Sequence, residues 1–293
     1  MYDAGERQDL TMATARKVAG ERPEQSEINR ESSDFVDALA RGLDVIQAFS
    51  ADAPEMTLSE IAKRTGLSPA TARRSLLTLK ELGYVGMNGR NFVLRQKVLS
   101  LGAAFLDSMN LRDVADAYLQ ELAEIFHDAA SMTVLDGMNV IYIAHVPSRR
   151  EVRFRVAIGT HLPAYATSMG HVLLAELGGD AQAEFLSHAP FQAYTSRTTT
   201  KASELRAIFK AAKREGYAAV QDQLEYGSVA VAVAVRDSRG HAFAAINCSA
   251  ETSRIDMKSM VATRLPKLQT AAARIGEAVA RYPALLHSID ASS

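Results

Sequence analysis

Residues 68–94 read SPATARRSLLTLKELGYVGMNGRNFVL. Serine followed by proline is a helix start, because the hydroxyl accepts a first-turn amide and proline at the first helical position forgoes no needed N–H. Leu76, Leu77, Leu79 and Leu82 follow as an inward apolar set. After Gly83, the runs Tyr84-Val85 and Phe92-Val93-Leu94 flank Met87-Asn88-Gly89-Arg90, and Asn-Gly is the pair a tight hairpin favours. Just upstream, Thr57 precedes Leu58, Ile61 and Ala62 on a short helix that Gly66 interrupts. The order helix, turn, helix, hairpin predicts a winged helix-turn-helix.

Further upstream, Asp34 introduces Phe35, Val36, Leu39, Leu43, Val45, Ile46 and Phe49, a three-and-four spacing that predicts one apolar helical stripe. Residues 1–33 carry charges of both signs without an apolar period and are expected to form a disordered tail. Downstream, Val98, Leu101, Phe105 and Leu106 predict a linker helix over 97–110. The winged domain is thus expected over 34–96 and a second domain over 111–285.

In that second part, helices are predicted at Val114–Phe126, Ser168–Leu177, Ala181–His188, Ala202–Glu215 and Met257–Arg281. Strands are predicted at Ser131–Leu135, Val140–Val146, Val152–Ile158, Val229–Val235 and Ala242–Cys248, with turns at Asp136-Gly137 and Asp237–Gly240. The class is α+β, with a mixed or antiparallel sheet under helical layers.

A chain of 293 residues with 47% hydrophobic and 23% charged content suits two cores. The formal net charge of −1 excludes an overall basic coat, so a nucleic-acid surface has to be local. Between Lys63 and Lys97 eight basic residues meet one acid, Glu81. Concentrated on a helix-turn-helix and wing, that charge suits phosphate neutralisation; a basic run also suits a solvated helical face, but the adjoining wing favours DNA. Ser68, Ala70, Thr71, Arg73 and Arg74 would meet the major groove and Arg90 the backbone or minor groove, with Arg41, Thr78 and Arg95 as further candidate contacts.

Taken in order, several runs resemble one family. They are Phe35-Val36 with residues 39–46, Thr71 to Leu79, Leu82-Gly83-Tyr84-Val85, Gly159 to Gly170, Gly216-Tyr217 with Asp222-Gln223, and Ala244 to Ser249. From about Phe35 to Arg281 the chain resembles the IclR-type transcriptional regulators, and most the subgroup controlling β-ketoadipate-pathway and hydroxybenzoate catabolism. The resemblance implies a winged helix, a linker helix and a GAF-like effector domain, assembled as a homodimer or dimer of dimers on double-stranded operator DNA, with RNA polymerase a candidate partner. It implies a small aromatic or dicarboxylic acid effector of hydroxybenzoate, protocatechuate or β-ketoadipate type, with no cofactor. The implied pocket comprises Phe154, Tyr165, Thr167, Ser168, Met169, Asp222, Ala230, Asn247 and Ser249. A helix beginning near Ser168 would offer free amides and a positive dipole end to a carboxylate, while Asn247 and Ser249 alternate onto one sheet face. One departure stands out: Gly227-Ser228-Val229-Ala230 replaces the Gly-Leu-Arg-Ser type run of the subgroup, removing an arginine. Arg153 and Arg155 are candidate substitutes or plain surface charges.

Other chemistry has little support. Ser168 and His171 share a helical face, as a nucleophile and base would, but no Gly-x-Ser-x-Gly elbow surrounds the serine and a helix-start serine ordinarily caps. The seven histidines, His127, His145, His161, His171, His188, His241 and His287, show no metal-ligand spacing and suit surface or pocket positions. Cys248, the one cysteine, excludes an intrachain disulfide and reads as a packing residue. No apolar run approaches the roughly 18 residues of a spanning helix, so a cytoplasmic protein is expected. An enzyme or carrier acting on aromatic acids, with an accessory winged helix, is the alternative.

Overall fold

The structure, a computed structural model, describes residues 34–50, 52–102, 111–148 and 156–279. These form two compact units, one on either side of residues 103–110. The tail over 1–33 lies outside the described residues, as do Arg153, Phe154 and Arg155. Of the expected linker helix only its start is described: Gln96–Val98 form a 3-10 turn and 99–102 continue as helix.

The first unit packs α1 (Asp37–Gln47), α2 (Leu58–Thr65) and α3 (Pro69–Glu81) beside an antiparallel sheet of order β1-β3-β2, formed by Glu55–Met56, Asn91–Leu94 and Val85–Asn88 respectively. The expected Ser68 cap forms, and Thr57 supplies another. Thr57 and Glu60 make a capping box, the Thr57 amide donating to the Glu60 carboxylate at 2.7 Å, and the Ser68 hydroxyl accepts from the Thr71 amide at 3.2 Å. Val45, Ile61, Leu76, Leu79, Val85 and Phe92 make the core. The apolar stripe read on α1 is two faces: Val45 is buried, whereas Val36, Leu39 and Leu43 are 60%, 64% and 45% exposed. At about 100° per residue, Val45 lies opposite Val36 and Leu43 around the axis. Leu77, expected inside, is exposed for the same reason of helical phase, and Leu82, also expected inside, is exposed at the C-cap just past α3. In the wing Asn88 pairs with Asn91, so the two-residue loop is Gly89-Arg90, one residue later than Asn-Gly implied. Gly89 takes φ +59° while Arg90 keeps a negative φ, the pattern of a type II′ turn.

The second unit is a six-stranded sheet of order β6-β5-β4-β9-β8-β7, in which every pairing among the described residues is antiparallel. Its strands are β4 (Ala129–Asp136), β5 (Asn139–Val146), β6 (His161–Pro163), β7 (Ala218–Gln221), β8 (Ser228–Arg236) and β9 (Ala242–Glu251). The strand expected over Val152–Ile158 is not found: 156–158 are not extended-paired, 151–155 are outside the described residues, and His161–Pro163 takes the edge instead. β7, absent from the sequence reading, closes the other edge; its Ala-Ala-Val-Gln is too short and weakly patterned to announce itself.

β8 alternates valine and alanine. Val229, Val231, Val233 and Val235 enter a core with Leu119 and Leu122 of α4 (Leu111–Phe126) and Leu268 and Ile275 of α8 (Met257–Val279). Ala232 and Ala234 face the other way, towards α5 (Ser168–Glu176), with α6 (Gly179–Ser187) and α7 (Ala202–Glu215) outside it. Helix α5 is buried on all sides, and a Cβ at Gly170 would collide with the Ala164 backbone. One turn in, His171 is fully buried; its Nε2–H donates to the Tyr165 carbonyl and its ring meets Phe209 edge-on at 5.9 Å. Burial lowers its pKa to about 4, although the Tyr165 bond opposes the shift.

Two outcomes follow. Gly170→Ala should destabilise the chain by about 1–3 kcal/mol in urea denaturation, because backbone on both sides has to move; an unchanged midpoint would refute the close approach. Between pH near 6.5 and about 4 the unfolded chain binds a proton at His171 that the folded chain does not, so stability should fall as pH falls through that window, by up to about 3 kcal/mol. His171→Gln should flatten this dependence, and a wild-type slope in the variant would assign the acid sensitivity to other groups.

Candidate functional site

Helix α3 exposes Ala70, Arg73, Arg74 and Thr78, with Leu77 on the same face, while Ala72, Leu76 and Leu79 are buried beneath. Ser68 and Thr71 stand at its start, their hydroxyls 2.9 Å apart. Arg90 is exposed at the wing tip. Three further basic residues of this unit are engaged locally. Lys97 donates to the Leu82 carbonyl at 2.8 Å and lies over the Tyr84 ring, and Arg95 folds against Gly86. Arg41 is ion-paired with Asp37 one turn earlier on α1. An exposed helix face carrying two arginines, capped at its N-terminus and followed by a basic hairpin tip, has the shape and charge to enter a major groove.

The second unit holds a cavity of about 830 Å³ between the N-terminus of α5, the strands β4, β5, β8 and β9, and the loop 222–227. Of the residues expected there, Thr167, Ser168, Asp222, Ala230, Asn247 and Ser249 line it. Thr167, not Ser168, caps α5: its hydroxyl accepts from the Gly170 amide at 3.0 Å. Among the described residues, that leaves the Ser168 hydroxyl, 2% exposed, without a hydrogen-bond partner, and the amides of Ser168 and Met169 without intrahelical acceptors. Asn247, 5% exposed, likewise has its Oδ1 unpartnered. Buried polar atoms are normally satisfied, so two orphans facing one cavity beside a helix N-terminus mark a place for a ligand.

Two expected residues do not reach the cavity. Tyr165 is buried in the helical layer, stacked on Phe191 at 4.5 Å with its hydroxyl donating to the Gln192 carbonyl, and the Met169 sulfur accepts from the Thr133 hydroxyl at 3.4 Å. Phe154 lies outside the described residues. Asp222 lines the cavity as a loop clamp: with φ +57°, it accepts the Gly227 amide at 2.6 Å and pairs with Arg197 at 3.2 Å. Among the described residues, the arginine that lines the cavity is Arg254, just past β9, ion-paired at 3.3 Å with the buried Asp128, which Arg264 also meets at 2.9 Å. Arg254, His145, Tyr142 and Ser131 were missed as lining residues, since alternation along strands of unknown pairing cannot say which strands adjoin. Cys248 faces the opposite core, and burial first, then the nearby Asp128 charge, pushes its thiol up to about 12.

His171 does not line the cavity and its Nε2 is engaged by Tyr165, so Ser168 and His171 do not assemble a nucleophile and base. Among the described residues no cluster of His, Cys, Asp or Glu could hold a metal, and no helix is long and apolar enough to cross a membrane.

The IclR helix-turn-helix domain matches residues 38–88, and the bacterial transcriptional regulator IclR C-terminal domain matches residues 103–277. The chain is 38% identical over 239 residues to a Pca regulon regulatory protein of Pseudomonas putida, covering 81% of this chain and 82% of that one. It is 32% identical over 255 residues to a p-hydroxybenzoate hydroxylase transcriptional activator of Acinetobacter baylyi, covering 85% and 94%. A crystal structure of a transcriptional regulator from Rhodococcus sp. RHA1 superposes with a TM-score of 0.74 at 39% identity, over 84% of this chain and 99% of that one. With both domains matched in order and relatives of this identity across most of its length, the chain belongs to the IclR family of helix-turn-helix transcriptional regulators.

Proposed function

We propose that this regulator controls an aromatic-acid catabolic operon, switching its hold on operator DNA when a small hydroxylated aromatic carboxylate enters the cavity. The observation that carries the ligand half is the pair of unpartnered buried atoms, Ser168 Oγ and Asn247 Oδ1, beside the open amides of α5. The helix dipole and those amides take the carboxylate, with the Ser168 hydroxyl as a further donor and the Asn247 amide group beside it. Arg254 keeps the cavity from being wholly anionic despite Asp222, Glu225 and Glu251 in its lining, standing in for the arginine absent from Gly227–Ala230. An aromatic-acid operon follows by analogy with the two relatives, named for the pca regulon and for p-hydroxybenzoate hydroxylase.

For the DNA half, residues 34–96 act as the reading domain, with Ser68, Ala70, Thr71, Arg73, Arg74 and Thr78 towards the major groove and Arg90 at the flank. Arg41 and Arg95 support that surface rather than read it, given their local partners. Residues 97–110 link it to the effector domain over 111–285. The regulator works in the cytoplasm as a homodimer or a pair of dimers, alongside RNA polymerase. Effector can bias operator binding only by preferring one arrangement of the paired domains.

In a thermal-shift titration of the full chain, hydroxybenzoates should raise the melting temperature, and Asn247→Leu should weaken that binding about tenfold or more. No shift with any aromatic acid would sink the ligand assignment. Arg73→Ala and Arg74→Ala should each cost about 1–3 kcal/mol of operator affinity in gel-shift or anisotropy titrations, and wild-type affinity in both would remove α3 from the interface. Tight effector binding that leaves operator affinity and transcription unchanged would refute the switch.

A further inference from the structure

The cavity has a second polar end. Ser131 of β4 pairs in register with His145 of β5 on one side and with Asn247 of β9 on the other, so three polar side chains stand in one row across adjacent strands. All three line the cavity. The Ser131 hydroxyl and His145 Nδ1 are 3.0 Å apart. His145 is on this face because of a β-bulge. Tyr142 and His145 are three apart and would alternate to opposite faces, but Met132 pairs with Ala144 and Thr133 with Tyr142, leaving Ile143 as the extra residue. Ile143 and Ala144 both enter the opposite core, and Tyr142 and His145 both line the cavity, their rings edge-on at 6.5 Å.

Two strand spacings separate His145 from Asn247, about 10 Å between backbones. The wall near this row includes Leu162, Ala166 and Val156, which suits a flat apolar body with a polar group at each end. We propose that His145, oriented by Ser131, is the specificity residue that reads a neutral hydroxyl on the ring of the effector and refuses a second carboxylate. The inference rests on the carboxylate being held at Ser168 and Asn247. With Nδ1 engaged by Ser131, the Nε2 edge is the one left for a ligand, to donate to or accept from a phenol. Burial lowers the pKa of His145, so the ring is neutral near pH 7 and offers no charge to a second acid group. A polar site built for a hydroxyl discriminates against analogues lacking it, because its own groups are then left unsatisfied.

The test is calorimetric titration of the full chain with benzoate, 3-hydroxybenzoate, 4-hydroxybenzoate and terephthalate. The better hydroxybenzoate should bind about tenfold or more tighter than benzoate and than terephthalate. His145→Leu should bring the ratio of hydroxybenzoate to benzoate affinity within about twofold of unity, and His145→Gln, which restores a donor and an acceptor, should recover part of it. A ratio unchanged in His145→Leu overturns the proposal, as does a uniform loss for all four acids, which is what a purely structural role would produce. Equal wild-type binding of benzoate and hydroxybenzoates overturns it while leaving the carboxylate site standing. Binding of none of the four overturns the carboxylate reading, and this one with it.

Discussion

The approach of helix α5 to the sheet is the constraint on which the effector-binding unit depends. A helix can lie this close only where the surface beneath is shallow, and β8 supplies that with alanines on one face while its valines fill the other. Gly170 completes the fit against the Ala164 turn. Once α5 is seated, its N-terminus is held over β9 and the loop 222–227, and the cavity is what remains between them. The same packing forces His171 inside, between the Tyr165 carbonyl and the Phe209 ring, where burial keeps the ring neutral. Stability and binding geometry are therefore set by one contact.

Polar groups inside this unit fall into two kinds. Asp128 is compensated by Arg254 and Arg264 from beyond β9 and from α8, and the Asp222 carboxylate by the Gly227 amide and Arg197. Those arrangements hold loops and ends in place. Ser168 and Asn247 are different, since desolvating a hydroxyl or amide without a partner costs about 1–3 kcal/mol and nothing among the described residues offsets it. Uncompensated groups that share a cavity are best understood through what enters it. The Arg254 to Asp128 pair adds a tie between that cavity and the end of α4, because Arg254 also donates to the His127 carbonyl at 3.3 Å.

The DNA-facing unit is built on another principle. Its core is small, and its helices are secured by local devices: a capping box on α2, a left-handed Gly66 at its end, and a serine cap with proline on α3. These fix where α3 starts, and hence which residues its exposed face presents. A short strand, β1, adds to the wing and ties the segment before α2 into the same sheet.

Much of this was legible from residue order. Caps, helix lengths and the β4–β5 and β8–β9 hairpins are local matters, decided by side chains a few residues apart, and runs such as 71–79, 82–85 and 159–170 carried the family. The charge around α3 was equally open to reading, because basic residues there outnumber acids whatever the packing. Helical phase was harder: Leu39, Leu43 and Leu77 are apolar yet exposed, and only the position of neighbouring elements says which side of a helix is inside. The cavity needed more still. Which strands adjoin, where a bulge turns Tyr142 and His145 to one face, whether Thr167 or Ser168 caps, and that Arg254 reaches the lining are long-range outcomes. By itself the sequence determined most helices, the two central hairpins and the family, since those rest on short-range hydrogen bonds and periodicity, while the edge strands His161–Pro163 and Ala218–Gln221 escaped it. The tertiary structure alone decided which polar atoms go unpaired in a common space, because that depends on contacts between segments far apart in the chain, such as α5 and β9.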